Sequence, residues 1–259
     1  EEDIDGTIEF FERVSNKYGD RLYFTVQIRL ETAKNIQFLE LMKKAGVRVV
    51  CVGFESPIDE ELRAMRKGYS SSDMLEWTKI LRRFFWIHGM FIAGYPAKGS
   101  KSVVSAKETI KYFGRFIRKA SLDTVQILLP VPIVGSDLRR RLEKEGRVFP
   151  LEVVPWSRYD GTYPCFRPDG MSLRQFQEIP IKLMSRFYNP LSSISVVLRT
   201  IAFPIDCVIS GWKRWYRGWD RDIIKFAGHL ILQRWRKKQK SEKFLEKLES
   251  YQLRASLRG

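Results

Sequence analysis

The sequence predicts an α/β fold, about four βα units of a parallel sheet followed by a mainly helical carboxy-terminal extension. Two observations predict it. Strand-like runs begin near Leu22, Val47, Trp86 and Thr124, each followed by a helical pattern. Their spacing of roughly 25 to 38 residues suits βα repeats with right-handed crossovers. Beyond about Met171 the strand signals stop, and helical periodicity, basic residues and tryptophan take over.

The elements follow in order. Ile4 to Tyr18 carries apolar residues at helical spacing, at Ile4, Ile8, Phe11, Val14 and Tyr18. Leu22 to Leu30 reads as a strand with Thr25, Gln27 and Arg29 on one face, and Ile36 to Lys44 as a helix closed by Gly46. Val47 to Phe54 is Val-rich and broken only by Arg48, the pattern of a strand buried on both faces. Helices are expected over Asp59 to Arg66 and Ser72 to Phe84, the second capped from within Ser70-Ser-Ser-Asp73. Strand Trp86 to Ala93 ends at Gly94-Tyr-Pro96. After the Gly and Ser of 99–102 come a helix to about Lys119, strand Thr124 to Leu129 and helix Gly135 to Gly146. Four units make only part of a closed barrel. The opening helix, with no strand before it, reads as the second half of an earlier unit, so the amino-terminal part of the fold is expected to lie outside this chain. The reading divides the chain into 1–150 (βα units), 151–190 (a covering loop and an amphipathic helix) and 191–259 (a basic, Trp-rich helical extension).

Composition narrows the function classes. A chain of 259 residues with 44% hydrophobic content can bury a sizeable core. The 46 Lys and Arg against 30 Asp and Glu give a net charge of +16, which points to an anionic partner such as phosphate, nucleic acid or a lipid surface. No nucleic-acid recognition motif accompanies the charge, so nucleic acid is set aside. Cys51, Cys165 and Cys207 are too scattered for a disulfide framework or a zinc site. A cytoplasmic setting is expected, peripheral at the inner face of a membrane.

The ordered series Phe24-Thr-Val-Gln-Ile28, Leu39-Glu-Leu-Met-Lys-Lys-Ala-Gly46, Val52-Gly-Phe-Glu-Ser-Pro57, Met65-Arg-Lys-Gly68, His88-Gly-Met-Phe-Ile-Ala-Gly-Tyr-Pro96 and Leu129-Pro-Val-Pro-Ile-Val-Gly-Ser-Asp-Leu138 resembles the later strands of a radical S-adenosylmethionine enzyme. It is most similar to the subgroup that carries a cobalamin-binding domain. Trp156 to Pro168, Met171-Ser172 and Arg186-Phe-Tyr188 resemble that subgroup's tail, and together the motifs cover about two thirds of the chain. The resemblance implies a partial TIM-like (β/α)6 barrel and the cofactors S-adenosylmethionine, a 4Fe-4S cluster and, in the subgroup, cobalamin. It also implies radical chemistry, such as methyl transfer, on an unactivated carbon of a small-molecule or lipid-like substrate. The family holds its cluster in a Cys-x3-Cys-x2-Cys loop after the first strand. This sequence contains no such loop and no cobalamin module, so on this reading it is the later part of such an enzyme, and alone either a catalytic portion or a non-catalytic interaction or membrane-surface module.

The site residues follow from the cofactor's groups. Glu55, at the carboxyl end of its strand, can accept hydrogen bonds from an ammonium or ribose hydroxyls, with Ser56 beside it. Lys67, twelve residues on, can return to a carboxylate. In related enzymes these two positions contact the amino-acid end of the cofactor. Gln27 and Arg29 face the barrel interior on this reading, and Gly94 permits close backbone approach to an adenine. Each has a plainer alternative: Glu55 paired with a lysine or capping a helix, Lys67 as a solvated helix-end cation, Gln27 and Arg29 as a structural layer. His88 reads as a structural histidine near the start of its strand. Arg158, Tyr159 and Asp160 belong to a lid near substrate or, the favoured reading, an ordered covering loop.

In the extension, 191–209 is apolar but interrupted by Arg199, Pro204 and Asp206, a poor spanning candidate. Trp212, Trp215, Trp219 and Trp235 among Lys and Arg read either as an interfacial segment at an anionic membrane, through residues 211–259, or as a helical cap packing its indoles inward. A helical run is expected over Ser241 to Leu253.

Overall fold

Burial along the strands alternates with a period close to two, and the strands share one layer. In the computed structural model, which describes residues 4–19, 21–97 and 104–256, β1 (Phe24–Ile28), β2 (Val47–Glu55), β3 (Trp86–Ile92) and β4 (Thr124–Leu128) form one parallel sheet in the order β1-β2-β3-β4. Helix α1 (Ile4–Tyr18) precedes them. Helices α2 (Ile36–Lys44), α3 (Asp59–Ala64), α4 (Ser71–Leu81), α5 (Ala106–Ala120) and α6 (Asp137–Lys144) alternate with the strands. Sequential order with helical crossovers is the beginning of a (β/α) barrel wall. The Gly and Ser linker at 99–102 and the opening Glu1-Glu2-Asp3 fall outside the described residues.

Contacts divide the chain into two compact units: Glu1–Ile92 with Ala97–Gly99 and Tyr112–Gln126, and Ala93–Pro96 with Ser100–Lys111 and Ile127–Gly259. In the first unit Val50, Val52 and Phe54 of β2 and Ile87 and Phe91 of β3 are buried. Phe54 stacks on Phe91 at 5.3 Å, and Phe113 and Phe116 meet Phe91 edge-on at 5.9 and 6.0 Å. Each such ring pair adds roughly 0.5–1.5 kcal/mol beyond its buried area. Gly89 sits among them because a Cβ there would stand 2.6 Å from Leu122 Cδ1 and 3.0 Å from Phe91 Cε2.

Two expectations are corrected in this unit and a third is made specific. Strand β2 alternates buried and half-exposed residues rather than burying both faces. Among the described residues the alternate face of β2, at Cys51 and Gly53, is half-exposed. The first strand is shorter than Leu22 to Leu30, because the chain turns into a 3-10 helix at Leu30–Lys34 that buries Leu30 and Ala33. Ser70 is the cap of α4, in a reciprocal capping box with Asp73.

The second unit is helical. An antiparallel bridge between Val148 and Phe166 closes the 147–166 loop. Its buried residues Phe149, Val154, Tyr163 and Cys165 pack with Leu173 of α7 (Leu173–Phe187) and with Phe244 and Leu248 of α11 (Phe244–Ser256). The apolar stretch 191–209 is two helices, α8 (Leu191–Ile201) and α9 (Phe203–Ser210). They part at Ala202, where Pro204 sits in the first turn of α9 and suits a new helix start. The Trp-rich basic segment forms one 30-residue helix, α10 (Trp212–Ser241). The final helix begins at Phe244 rather than Ser241, because Lys243 adopts a left-handed φ of 48° and breaks the run.

Candidate functional site at the carboxyl end of β2

Strand β2 ends irregularly. Its register with β3 shifts between Gly53 and Glu55, and Glu55 holds a left-handed φ of 61°. For a residue with a Cβ that conformation costs about 1–2 kcal/mol. The glutamate side chain folds back over its own strand, and a Cβ on Gly53 would lie 3.0 Å from Glu55 Oε1.

Lys67 reaches this carboxylate through the way α3 ends. Arg66 is left-handed at φ 58°, its N–H donates to Arg63 O, and the Lys67 N–H donates to Leu62 O. These two bonds are a Schellman closure, which reverses the chain just past the helix. Lys67 Nζ then donates to Glu55 Oε1 at 3.1 Å, with side chains 33% and 22% exposed. The spacing of twelve is thus one short helix and its reversal.

Around the pair lie groups from the end of β1. Arg29 is exposed and bonds Glu31 Oε1 at 3.3 Å. Tyr69 is buried, and its pKa is pushed up to about 12 by burial and then by the negative charges of Glu31 and Glu55. Its hydroxyl is therefore protonated at neutral pH and fit to donate. Tyr69 and Glu31 were missed by the sequence reading; the tyrosine directly after Met65-Arg-Lys-Gly68 was the available signal. Ser56 is fully buried, and its hydroxyl accepts from the Ile58 N–H at 3.1 Å. It holds the turn into α3 and does not present its oxygen to the surface.

The half-open face of the sheet carries a polar row. Gln27 is exposed and pairs in register with Cys51, which pairs with His88. His88 Nδ1 lies 2.8 Å from Thr124 Oγ1. Burial lowers the His88 pKa, against a hydrogen bond with Gln126 that raises it. His88 is therefore a mid-strand, hydrogen-bonded and mostly neutral histidine rather than one at the strand's start. The Cys51 thiol is pushed up by burial.

Gly94 belongs to the second unit. It holds φ +79°, and a Cβ there would stand 2.7 Å from Phe176 Cε2, so the ring of α7 already occupies the space the missing side chain leaves. In the same unit Arg158 and the hydroxyl of Tyr163 both donate to Glu242 Oε2, the former at 2.7 Å. Arg139 donates to Tyr159 Oη at 3.0 Å, and Asp160 accepts from Thr162 N at 2.8 Å. All three side chains of the 158–160 stretch are thus engaged within their own unit.

An iron-sulfur cluster would need its ligands from the cysteines. Cys165 is buried and its thiol is pushed up to about 12 by burial, with Asp160 adding to the shift. A thiolate ligand needs the opposite environment. Among the described residues no three His, Cys, Asp or Glu side chains are grouped to hold a metal ion. The residues of this chain do not fit that cluster.

No family model matches the chain, and no curated protein sequence matches it. Among solved structures, part of the chain is similar to an amino-terminally truncated Elp3 from the archaeon Methanocaldococcus infernus, with 20% identity and TM-score 0.44, covering 63% of this chain and 32% of that one. TsrM from Kitasatospora setae, a radical S-adenosylmethionine methyltransferase solved with cobalamin and a 4Fe-4S cluster, aligns at 14% identity and TM-score 0.44 over 55% of this chain and 28% of its own. OxsB, a cobalamin-dependent S-adenosylmethionine radical enzyme, aligns at 16% and 0.32, over 53% and 19%. The chain spans about a third or less of the length of each.

Proposed function

We propose that the chain supplies later βα units of a radical S-adenosylmethionine barrel and that the carboxyl end of β2 receives the amino-acid end of S-adenosylmethionine. The observation that carries this reading is the Glu55–Lys67 pair, held at 3.1 Å by a left-handed strand end and a Schellman reversal. An amino acid is a zwitterion. Its ammonium can take the place of Lys67 beside Glu55 while its carboxylate takes Lys67, so both charges stay paired on binding. Tyr69, kept protonated, supplies a neutral donor beside them. Gln27 and His88 line the half-open face on which a small-molecule or lipid-like substrate would lie.

S-adenosylmethionine supplies hydrogen-abstracting radical chemistry in this family when it is bound beside a reduced cluster. The cysteines here do not fit that cluster, so on this proposal the chain's own part is binding and orienting the cofactor. Methyl transfer and the use of cobalamin belong to the whole enzyme on this reading. A second reading, a non-catalytic module derived from such an enzyme, is favoured by the burial that raises the thiols of Cys51 and Cys165.

Calorimetric titration of the chain with S-adenosylhomocysteine tests the binding reading. Glu55→Gln and Lys67→Ala should each weaken binding about tenfold or more, the worth of a charge-assisted contact, with melting curves confirming the fold. Equal affinity in both variants removes the pair from the site, and no binding by the wild type overturns the proposal.

A further inference from the structure

Helix α8 is turned inside out. Its polar side faces α10: Arg199 Nε donates to Asp222 Oδ2 at 2.7 Å, Trp215 Nε1 donates to Arg199 O at 2.8 Å, and Trp219 Nε1 donates to Thr200 Oγ1 at 3.1 Å. Its apolar side faces outward. Leu191, Ile194, Leu198 and Ile201, spaced to share one face, are 55–72% exposed. Helix α9 continues the exposure, with Ile205 at 65%, Val208 at 87% and Ile209 at 76%. Isolated exposed apolar residues are ordinary, but exposed Leu, Ile and Val faces on two consecutive helices mark a docking surface.

Length, flanking aromatics and charge identify what docks. Helix α8 has 11 residues, about 16 Å at the α-helical rise, about half a hydrocarbon core. Among the described residues no helix is long and apolar enough to cross a membrane. Trp212 and Tyr216, stacked at 6.0 Å and about half exposed, begin α10 directly after the apolar face. Such rings settle at a lipid headgroup boundary. Residues 191–259 hold 15 Lys and Arg against 6 Asp and Glu, and Arg217 and Arg221 are exposed in the turns following Trp212. An apolar face on a segment of strong positive charge matches an anionic bilayer, which accepts the first in its acyl boundary and attracts the second electrostatically. We infer that α8 and α9 lie in the surface of an anionic membrane, drawn to it by the positive charge that the basic residues of α10 supply.

This moves the membrane contact away from tryptophans in general. Trp215 is buried, and it and Trp219 serve the α8–α10 packing. Co-sedimentation of the full chain with phosphatidylcholine–phosphatidylglycerol vesicles, against phosphatidylcholine alone, tests the inference. The chain should pellet with the anionic vesicles, and the double variant Ile201→Glu, Val208→Glu should reduce partitioning about tenfold or more while leaving the melting curve unchanged, since both side chains are exposed. Arg217→Glu with Arg221→Glu should weaken the preference for anionic vesicles and its salt sensitivity. Three results overturn the inference: no binding to anionic vesicles, binding that the Ile201 and Val208 changes leave intact, or a concentration-dependent dimer that those changes abolish in place of vesicle binding, which would assign the face to a second copy.

Discussion

The first unit and helix α8 both carry apolar stripes and use them in opposite ways. In the sheet the stripe of β2 and β3 is turned inward, where Phe54 and Phe91 stack at 5.3 Å and are almost wholly buried. In α8 the stripe is turned outward, and Arg199 and Thr200 on the other side take the helix partner. An apolar pattern therefore identifies a face without identifying what covers it. The sheet's cover is within its own unit. Among the described residues the outward face of α8 has no such cover.

Mutations that separate the two faces should differ most at the rings. Phe54→Ala should cost about 3–5 kcal/mol, the range for truncating a buried aromatic, measured by urea unfolding. A cost near zero would show that the ring cluster is not the unit's core.

Next in size is the polar seam that holds α8. Arg199→Ala leaves Asp222 buried without its cation and should cost about 1–3 kcal/mol. Asp222→Asn in the same background should recover part of that loss. Without recovery, Arg199 acts through its contact with Gly218 rather than through its charge.

The end of β2 provides a backbone test. Glu55→Ala keeps a Cβ at φ 61° and loses the Lys67 pair, while Glu55→Gly loses the pair but relieves the strain. The glycine variant should therefore be the more stable of the two by about 1 kcal/mol. The reverse order would mean the left-handed strand end is not maintained in solution.

On the half-open face of the sheet, His88 has a folded pKa below its ordinary 6.5, chiefly through burial. The unfolded chain then binds the proton more readily than the folded one. The histidine's contribution to stability is complete above 6.5 and declines as pH falls from 6.5 through the folded value. In a pH series of unfolding curves, His88→Gln should flatten that decline. An unchanged slope would assign it to other groups.

The smallest effect belongs to the outward face of α8. Ile201→Ser should change stability by less than about 0.5 kcal/mol, because 72% of the residue is already in water. A large loss would mean that the face is covered in solution and would remove the contrast with the sheet.

The strands were legible because short apolar runs recur at a βα spacing through four repeats: strands were expected near Leu22, Val47, Trp86 and Thr124, and the observed ones begin at Phe24, Val47, Trp86 and Thr124. The 3-10 turn after β1 was not, since Leu30 and Ala33 satisfy a strand's apolar preference as well as a short helix's. The Glu55–Lys67 relation was visible as a spacing, but its closeness rests on Arg66 entering the left-handed region, which no residue type at that position announces. Ser56 beside Glu55 had the right chemistry for a ligand, yet its hydroxyl is spent on the Ile58 N–H. The helical character of 191–259 was expected, but the single length of 212–241 was not, because its aromatic and basic residues are mixed around the axis and leave no clean stripe to count.

What the sequence alone determined is the order and kind of elements, the basic carboxy-terminal segment and the scatter of the three cysteines, all properties of neighbours along the chain. What only the tertiary structure decided is direction: which side of β2 is covered, that Lys67 reaches the carboxylate of Glu55, that the space beside Gly94 is taken by Phe176, and that α8 shows its apolar side to solvent. Direction is set by the register between strands and by which helix face finds a partner first. Both depend on residues far apart in sequence, so local periodicity leaves them open.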